Sequence, residues 1–296
     1  MNEHEALAER AAATMHTVAL IGALDSGKTT LSKMLLRAAL EGGRSCALVD
    51  ADVGQKSVGP PTTVGLKLVR DQGDLEPQRL ARADAIYFVG ATSPQGHLLP
   101  VVTGTGRLVT RAREEGADLV VVDTSGLVSG VFGQLLKFHK FELIEPDLVV
   151  GLQRGEELLP LLGIIQRFFS AEVVALGVHP DVVPTSADQR AANREEAMRV
   201  YFSAPLQRWR VKPTVFMPAL PPLFDVAQLD GLLVGLADGK GNDLGLGYLE
   251  HSEQEGVLRL VSPVAEGPKA LRLGSVRLEE NFRAKRVDLR SLFGTD

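Results

Sequence analysis

A glycine-rich turn near the amino terminus constrains the fold of this chain more than any other feature. The apolar run at residues 18–21 meets Gly22. Gly27, Lys28 and Thr29 follow at the spacing G-x-x-x-x-G-K-[ST], directly before a helical pattern. A strand, a glycine-rich turn and a helix in this order are typical of a phosphate-binding P-loop. The backbone N–H groups of such a turn point at phosphate oxygens, and the helix offers its positive N-terminal end.

The P-loop predicts a nucleoside triphosphate, ATP, and Mg²⁺ as ligands. We expect Lys28 to reach the β- and γ-phosphates and Thr29 to bind Mg²⁺. The predicted nucleotide-binding residues are those of the whole loop: Gly22, Ala23, Leu24, Asp25, Ser26, Gly27, Lys28, Thr29 and Thr30. The alternative is a chance glycine-rich turn before an ordinary helix, and the strand and helix that flank it argue against this alternative.

Composition limits the class of protein. A chain of 296 residues with 45% hydrophobic residues suits one large α/β domain and a small appendage. No apolar segment reaches the roughly 20 residues that span a bilayer, and residues 1–10 are too charged for a secretory signal. The single cysteine, Cys46, falls in a predicted buried strand, so neither a disulfide framework nor a thiolate metal site is available. We predict a cytoplasmic protein without membrane contact.

Strands and helices alternate after the P-loop. Helical patterns lie at 28–41, 97–115, 133–144 and 156–169, and strands at 46–49, 85–89, 119–122, 148–152 and 173–178. This order predicts an α/β P-loop NTPase with a mostly parallel sheet between helices. The ligand crevice of such a sheet lies at the carboxyl ends of its strands.

The composition of the sequence changes near Lys212. Four of the next ten residues are prolines. A glycine-rich stretch at 231–247 then precedes two short runs, at 256–261 and 270–278, in which apolar and polar residues alternate. Such runs predict a small β-rich domain. The predicted domains are therefore a P-loop domain over 1–212, including a helix near its end, and a small β-rich C-terminal domain over 213–296.

Acidic residues follow two of the predicted strands. In VDADVGQ, Asp50 and Asp52 enter the crevice, where a carboxylate can accept the proton of an acceptor hydroxyl or hold a metal's water shell. An ordinary strand-end turn would also explain these two residues. In VVVDTSG, Asp123 ends an apolar strand in the form of a second nucleotide-site motif. The metal-binding residues that we predict are Thr29, Asp50 and Asp123.

Two further stretches have competing interpretations. GATSPQGH at residues 90–97 places small hydroxyl residues at a strand end, and a helix N-cap explains them better than a binding site does. A helical stretch, SADQRAANREEAMRVYF, places Arg190 and Arg194 four residues apart on one face. They could close over phosphates as a lid, although such arginines belong by default to a solvated helix face.

Taken together, the motifs resemble the polynucleotide 5′-hydroxyl kinases related to the kinase subunit of the pre-mRNA cleavage complex and to the pre-rRNA-processing kinase. The resemblance covers about residues 18–202 and includes five motifs in order. They read GALDSGKTTL, DADVGQ, FVGATSPQGH, DTSGLVSG and DLVVGLQRGEELLPLL. The tail, LGLGYLEHSEQEGVLRLVSPV followed by LRLGSVRL, is similar to the small C-terminal β domain of some members.

The resemblance implies roles for individual residues. Asp52 matches the base for the 5′-hydroxyl, and Gln153 lies in the segment that borders the nucleotide base. Arg190 and Arg194 match the lid arginines. The phosphate clasp of the family corresponds to Thr92, Ser93 and His97.

The chain also departs from the family's pattern. About 17 residues precede the first strand, so we expect the long N-terminal β domain of some members to be absent. Leu127 stands where many members have a tryptophan that can stack on the terminal base of the substrate, which weakens the expectation of RNA specificity. Thr185 stands where relatives often carry an arginine.

These residues predict phosphorylation of a 5′-hydroxyl end. The predicted catalytic residues are Lys28, Asp52, Arg190 and Arg194, and the predicted partners are ATP and single-stranded or end-exposed RNA or DNA. A nucleotide-driven switch, a metal-delivery chaperone and an idle scaffold are the alternatives. A metal-delivery chaperone needs a cluster of Cys or His residues at the spacing of metal ligands. The sequence has only Cys46 and six scattered histidines, which form no such cluster.

A local basic groove is predicted despite the formal net charge of -5. The stretch from residue 189 to residue 212 contains six basic residues and only two acidic ones. Tyr201, Phe202 and Trp209 are interleaved with these charges and could stack on unpaired bases. Each of the three aromatic residues, taken singly, is better explained by packing within the protein: Tyr201 and Phe202 would end an amphipathic helix, and Trp209 would pack between the two domains. The basic residues are Arg190, Arg194, Arg199, Arg208, Arg210 and Lys212.

Overall fold

The computed structural model describes residues 2–294, which divide into two compact units. Unit 1 contains residues up to 59, 64–85 and 93–186, and unit 2 contains residues 60–63, 86–92 and those from 187 onward. Unit 2 thus takes up the chain from residue 187, whereas the composition change had suggested a boundary at residue 212. Helix 187–201, which carries Arg190 and Arg194, belongs to unit 2 by this division, and the sequence prediction had joined it to the P-loop domain.

Eight α-helices and fourteen strands follow one another within residues 2–294. The first half runs α1 Glu3–Thr14, β1 Thr17–Gly22, α2 Lys28–Glu41, β2 Cys46–Ala51, β3 Thr63–Val69, α3 Pro77–Leu80, β4 Ala85–Phe88, α4 Leu98–Glu114, β5 Leu119–Thr124, α5 Gly130–Ile144, β6 Leu148–Gln153, α6 Leu159–Phe168 and β7 Glu172–Gly177. The second half runs α7 Ala187–Tyr201, β8 Gln207–Arg210, β9 Phe216–Met217, β10 Leu232–Ala237, β11 Asp243–Ser252, β12 Val257–Ser262, β13 Ala270–Leu278, β14 Ala284–Arg286 and α8 Leu289–Phe293.

Unit 1 is built on a sheet with the strand order β3-β2-β5-β1-β6-β7. Strands β2, β5, β1, β6 and β7 are parallel, and every residue of β1, β2 and β5 is buried. Helices cover such strands on both faces, which is why they read as continuous apolar runs. The α/β class and the mostly parallel sheet are confirmed.

Two elements of unit 1 were not predicted. Strand β3 runs antiparallel to β2, because the chain turns back after Asp50 instead of crossing through a helix. Helix α1 precedes the P-loop and packs Leu7, Ala8, Ala11 and Ala12 into the core beside α2. Its apolar face consists mostly of alanine, which gives a weak periodic signal.

Unit 2 is mainly an antiparallel sheet. Strand β10 lies between β11 and β13, β12 joins β11 to β8, and β4 pairs with β11. Helix α7 contributes Met198 to a core cluster of this unit that also contains Phe88, Leu233 and Leu246. The predicted β-rich C-terminal region is therefore present, and it includes more of the chain than its composition indicated.

The aromatic residues that follow the arginines of α7 are core residues of unit 2. Phe202 is buried, and its ring stacks on that of Phe282 at 5.6 Å between centroids. The Tyr201 hydroxyl accepts the Leu246 N–H at 2.7 Å. These contacts agree with the prediction that Tyr201 and Phe202 pack within the protein, and they remove both rings as stacking surfaces for nucleic acid.

Every helix within residues 2–294 is too short or too polar to span a bilayer.

Candidate active site

The P-loop leaves β1 at Gly22 and enters α2 at Lys28. A Cβ atom at Gly22 would lie 2.4 Å from Ser26 Oγ and 2.7 Å from the Leu152 carbonyl oxygen, so only glycine fits there. Gly27 has φ of +89°, a conformation that L side chains rarely adopt. Within residues 2–294, no side chain caps the start of α2 by a hydrogen bond. The first N–H groups of α2 therefore suit an anionic ligand.

Lys28 is held at the centre of this loop. Its Nζ donates to the carbonyl oxygens of Gly22 at 2.8 Å and Ala23 at 2.7 Å, and to Ser26 Oγ at 3.3 Å. Burial lowers the pKa of Lys28, and the Asp123 carboxylate opposes this shift. The loop thus holds the ammonium group beside the place that phosphate oxygens would occupy.

Thr29 and Asp123 form the metal-compatible part of the site. Thr29 Oγ1 donates to Asp123 Oδ2 at 2.7 Å. Burial raises the pKa of Asp123 to about 6, Lys28 acts against that shift, and Asp50 reinforces it. The Thr29 hydroxyl and the Asp123 carboxylate, which lie within hydrogen-bond distance of each other, are hard oxygen donors of the kind that Mg²⁺ prefers. These two residues fit the predicted metal ion.

Asp50 lies beside Asp123 in the register of β2 and β5, but its oxygens are used within the protein. Asp50 Oδ2 accepts the N–H groups of Ser57 at 2.6 Å and Val58 at 3.0 Å, and Lys56 Nζ lies 3.2 Å from Oδ1. Burial raises the pKa of Asp50, and Lys56 is the main opposing charge. These contacts favour a loop-holding role over the metal-binding role predicted from the sequence.

The buried pair of Lys56 and Asp50 gives a stability prediction. We expect Lys56→Met to lower the free energy of unfolding by about 3–5 kcal/mol, because it leaves a buried carboxylate without its counter-charge. Both side chains are 2% exposed, so water cannot replace the lost partner. Urea unfolding would measure the change. Arg199→Met is the matched control, since Arg199 and its partner Glu196 are both more than half-exposed, and the loss of this ion pair should cost about 1 kcal/mol or less. Equal effects of the two substitutions would contradict the prediction.

Asp52 lies in the turn that follows β2. Its Oδ1 accepts the N–H groups of Gly54 at 2.9 Å and Gln55 at 3.0 Å. Asp52 and Gln55 line the same cavity as Lys28 and Thr29. The turn therefore fixes the orientation of the carboxylate and brings it to the P-loop.

This cavity has a volume of about 650 Å³, which suits a nucleotide. Its phosphate-binding end is formed by residues 24–30, Asp52 and Asp123. Other lining residues were missed by the sequence analysis because they come from α1 and its N-cap, the middle of α2, β6 and the loop after β7. They are Asn2, His4, Glu5, Leu31, Met34, Leu152, His179, Asp181, Val182 and Val183.

The segment after β6 contacts the P-loop through Arg154, and Gln153 is not among the residues that line the cavity. The Arg154 guanidinium donates to the carbonyl oxygens of Leu24 and Asp25. The Thr185 N–H donates to Asp25 Oδ2 at 3.0 Å, so the position where relatives have an arginine contacts the loop through its backbone. These contacts hold the loop from its outer side.

The remaining predicted residues lie outside the cavity lining. Ser93 Oγ accepts the Gln95 N–H at 3.3 Å, and His97 occupies the N-cap position of α4, where its side chain makes no capping bond. Arg190 and Arg194 are half-buried on α7, eight and four residues before the buried Met198 on the same face. The geometry of unit 1 alone brings together Lys28, Thr29, Asp52 and Asp123.

Helix α5 adds two buried lysines that the sequence analysis missed. Lys137 and Lys140 are both 0% exposed, and Lys137 Nζ donates to the Ser125 carbonyl oxygen at 2.8 Å. Lys140 Nζ makes no hydrogen bond to the described residues. Burial lowers the pKa of Lys140 to about 8, although Asp52 and Asp123 act in the opposite direction. Two lysines three residues apart inside the apolar stretch QLLKFHKF were the available signal.

Relatives of known sequence support a kinase site. The chain is 31% identical to the polyribonucleotide 5′-hydroxyl-kinase of Thermococcus kodakarensis, over 89% of this chain and 88% of that protein. It is 28% identical to the polyribonucleotide 5′-hydroxyl-kinase of Methanocaldococcus jannaschii, over 89% of this chain and 87% of that protein. The polyribonucleotide 5′-hydroxyl-kinase Clp1 of Xenopus tropicalis is 30% identical, over 69% of this chain and 48% of its own length.

The fold is also that of a solved relative. The structure of the wild-type Clp1p-Pcf11p complex has a TM-score of 0.72 at 14% identity, and the match covers 92% of this chain and 77% of that one. Residues 22–204 match the family described as the mRNA cleavage and polyadenylation factor CLP1 P-loop. This match begins at the first P-loop glycine and includes every residue assigned above to the phosphate-binding end of the cavity. The chain therefore belongs to the CLP1 P-loop family.

Proposed function

We propose that this protein is an ATP-dependent polynucleotide 5′-hydroxyl kinase that acts in RNA processing. The observation that carries the proposal is one cavity in which Lys28, the Thr29–Asp123 pair and Asp52 meet. The first three suit a triphosphate and its metal ion, and Asp52 adds a carboxylate for a second substrate. The names of the relatives given above support an RNA 5′-hydroxyl end as that substrate.

Phosphoryl transfer depends on positioning and charge stabilisation. The backbone N–H groups of the P-loop bind the phosphate oxygens, and Lys28 Nζ leaves its carbonyl partners to neutralise charge on the transferring group. Thr29 and Asp123 would hold Mg²⁺, which supplies positive charge to the β- and γ-phosphate oxygens. Arg190 and Arg194 stay the predicted source of further positive charge in the transition state.

Asp52 is the residue that we assign to the acceptor hydroxyl. Its Oδ1 is engaged by the turn, which leaves Oδ2 to take the proton. A general base contributes about 10²–10⁴-fold to such a reaction when it lies within hydrogen-bond reach of the proton. The place of Asp52 in the cavity lining, beside Lys28 and Thr29, supports this role.

A direct transfer assay tests the proposal. The purified protein is incubated with γ-labelled ATP, Mg²⁺ and single strands of RNA or DNA that end in a 5′-hydroxyl. Label should appear at the 5′ end, and the same strands with a 5′-phosphate should stay unlabelled. Absence of label on every 5′-hydroxyl strand would refute the proposal. ATP hydrolysis that is indifferent to the strands would instead support a nucleotide-driven switch.

The path of the nucleic acid is predicted to follow β8. Side chains alternate along a strand, so Arg208 and Arg210 share one face and Trp209 faces the other way. Trp209 packs against the core of unit 2, whereas both arginines are exposed. Arg208 has one weak ion pair, 3.6 Å to Glu250. This face therefore offers charge without aromatic stacking.

We expect the double reversal Arg208→Glu and Arg210→Glu to weaken oligonucleotide binding and to lower the salt slope by about 1 to 2, since each lost phosphate contact removes about 0.7 from it for single strands. ATP affinity should hardly change. Titration of a labelled 5′-hydroxyl strand at two salt concentrations measures both quantities. Lys285→Glu with Arg286→Glu is the matched control, because both residues are exposed on β14. An effect confined to that control would move the path to the basic segment at residues 283–290.

A further inference from the structure

Helix α5 carries charged residues on its inner face and apolar residues on its outer face. Lys137 and Lys140 are buried with the inner face. Four apolar side chains are exposed on the outer face: Val131, Phe132, Leu135 and Leu143. A surface helix normally turns its apolar residues toward the core and its charged residues toward water. Apolar packing alone therefore does not explain why the two lysines point inward.

The two buried ammonium groups differ in their contacts. A buried ion loses its hydration, and only hydrogen bonds and opposite charges compensate for this loss. Lys137 Nζ donates to the Ser125 carbonyl oxygen at 2.8 Å. Lys140 Nζ has three N–H donors and makes no hydrogen bond to the described residues. Position 140 thus holds a charge that the fold does not use for a hydrogen bond.

The inner face of α5 lies near the acidic end of β5. The bond from Lys137 reaches Ser125, two residues after Asp123 in the chain. Lys140 follows Lys137 by three residues, about 4.5 Å along the helix axis. Burial lowers the pKa of Lys140, and the carboxylates of Asp52 and Asp123 are the main charges that oppose this shift. These two carboxylates are therefore the groups on which the Lys140 charge acts most.

The nucleotide cavity has an acidic lining for a site that binds an anion. Among the described residues that line it, Lys28 is the only lysine or arginine. Carboxylates repel the phosphates of a nucleotide, most strongly where water is excluded. A further positive charge behind the lining would therefore favour the binding of a triphosphate. The acidic lining residues are Glu5, Asp25, Asp52, Asp123 and Asp181.

We propose that Lys140 is a positioning residue for the phosphoryl donor, acting through Asp52 and Asp123. Its ammonium group offsets the negative charge of these two carboxylates, so that a triphosphate can bind beside them. Lys140 is 0% exposed, and solvent therefore screens its charge little. This role needs no contact between Lys140 and the ligand, and it rests on the nucleotide-binding part of the proposed function.

A charge effect and a packing effect of Lys140 differ in sign. Lys140→Met removes the charge and keeps an unbranched side chain, so the affinity for inorganic tripolyphosphate should fall at least about fivefold. The affinity for Mn²⁺, a probe of the position proposed for Mg²⁺, should rise about threefold or more, because the carboxylates lose a neighbouring positive charge. The midpoint of urea unfolding should stay equal or rise, since a buried methionine needs no hydration.

Each ligand is measured without the other at pH 7, where Lys140, with its pKa of about 8, carries its charge. Calorimetry measures tripolyphosphate binding, and electron paramagnetic resonance measures Mn²⁺ binding. Lys240→Met is the matched control, because it makes the same substitution at an exposed lysine whose charge water screens. It should change each affinity by less than about twofold. Lys140→Gln also removes the charge, should change both affinities in the same directions, and keeps the test valid if Lys140→Met fails to fold.

Three results would overturn the inference. Unchanged tripolyphosphate affinity in both Lys140 variants would show that the charge does not act on the site. Weaker binding of both ligands, together with a lower unfolding midpoint, would assign Lys140 to packing. An equal loss of tripolyphosphate affinity in Lys240→Met would assign the effect to the net charge of the protein.

Other results would bear on the proposed function instead. Wild-type protein that binds tripolyphosphate but transfers no label to 5′-hydroxyl strands would refute that function and leave the role of Lys140 standing. Wild-type protein that does not bind tripolyphosphate would refute both. Absence of Mn²⁺ binding in every variant would refute the metal position at Thr29 and Asp123, and the tripolyphosphate and unfolding measurements would then decide the role of Lys140.

Discussion

Lys28→Ala is expected to abolish phosphoryl transfer, with a loss of about 10²–10³-fold or more in kcat. Lys28 is the one side chain of the P-loop that brings a positive charge into the cavity, and it is 92% removed from solvent, as its 8% exposure shows. Water therefore cannot replace the ammonium group. Alanine also leaves the carbonyl oxygens of Gly22 and Ala23 without the donor that now holds the loop closed.

Single-turnover transfer of labelled phosphate measures this loss without interference from product release. Lys33→Ala, one turn further along α2 and outside the cavity lining, is the control and should retain wild-type rates. The unfolding midpoints of both variants should be recorded, so that a misfolded loop is not mistaken for lost chemistry. Transfer by Lys28→Ala at more than a tenth of the wild-type rate would show that Lys28 does not stabilise the transferring group.

Asp52→Asn should reduce transfer about 10²–10⁴-fold and leave nucleotide affinity within about twofold, because it removes a general base and keeps the shape of the side chain. The asparagine oxygen can still accept the N–H groups of Gly54 and Gln55, so the turn after β2 is preserved. A carboxamide cannot take the proton of the 5′-hydroxyl. The effect should therefore appear in kcat and be almost absent from ATP binding.

Calorimetry with a non-hydrolysable ATP analogue measures the nucleotide affinity, and single-turnover transfer of labelled phosphate measures the reaction rate. Asp71→Asn is the matched control, since Asp71 is exposed and lies outside the cavity lining. Loss of nucleotide affinity in parallel with the rate would assign Asp52 to the nucleotide or its metal ion. A normal transfer rate would remove Asp52 from the reaction altogether.

The local signals in the sequence predicted the core of the site. Helix 28–41 was predicted with the bounds that the structure shows, because Lys28 follows a glycine turn and Gly42 ends the pattern. Asp50 and Asp123 were expected near one another because parallel strands end at the same edge of a sheet, and the register places them side by side. Motif spacing and strand ends are properties of short segments, which a sequence displays directly.

Features that depend on distant parts of the chain were not predicted. The sequence does not show that His4 reaches the end of β7, since His4 and Gly177 are separated by 173 positions. The partners of Asp50 come from residues 56–58 of its own loop, and the sequence does not show that this loop folds back onto the carboxylate. Lys137 and Lys140 look like surface residues until α5 is placed against the strands.

The buried charges around the P-loop also decide how the free energy of unfolding varies with pH. Asp123 has a pKa of about 6 instead of 3.8, so this group favours folding increasingly as the pH falls through 6 toward 3.8. Lys140 has a pKa of about 8 instead of 10.5, so it favours folding increasingly as the pH rises through 8 toward 10.5. Between pH 6 and 8 both groups are charged, a state that burial opposes, and the proposed metal site uses the ionised form of Asp123. Neutral pH, where most domains are near their greatest stability, is thus where this cluster does least to keep the chain folded.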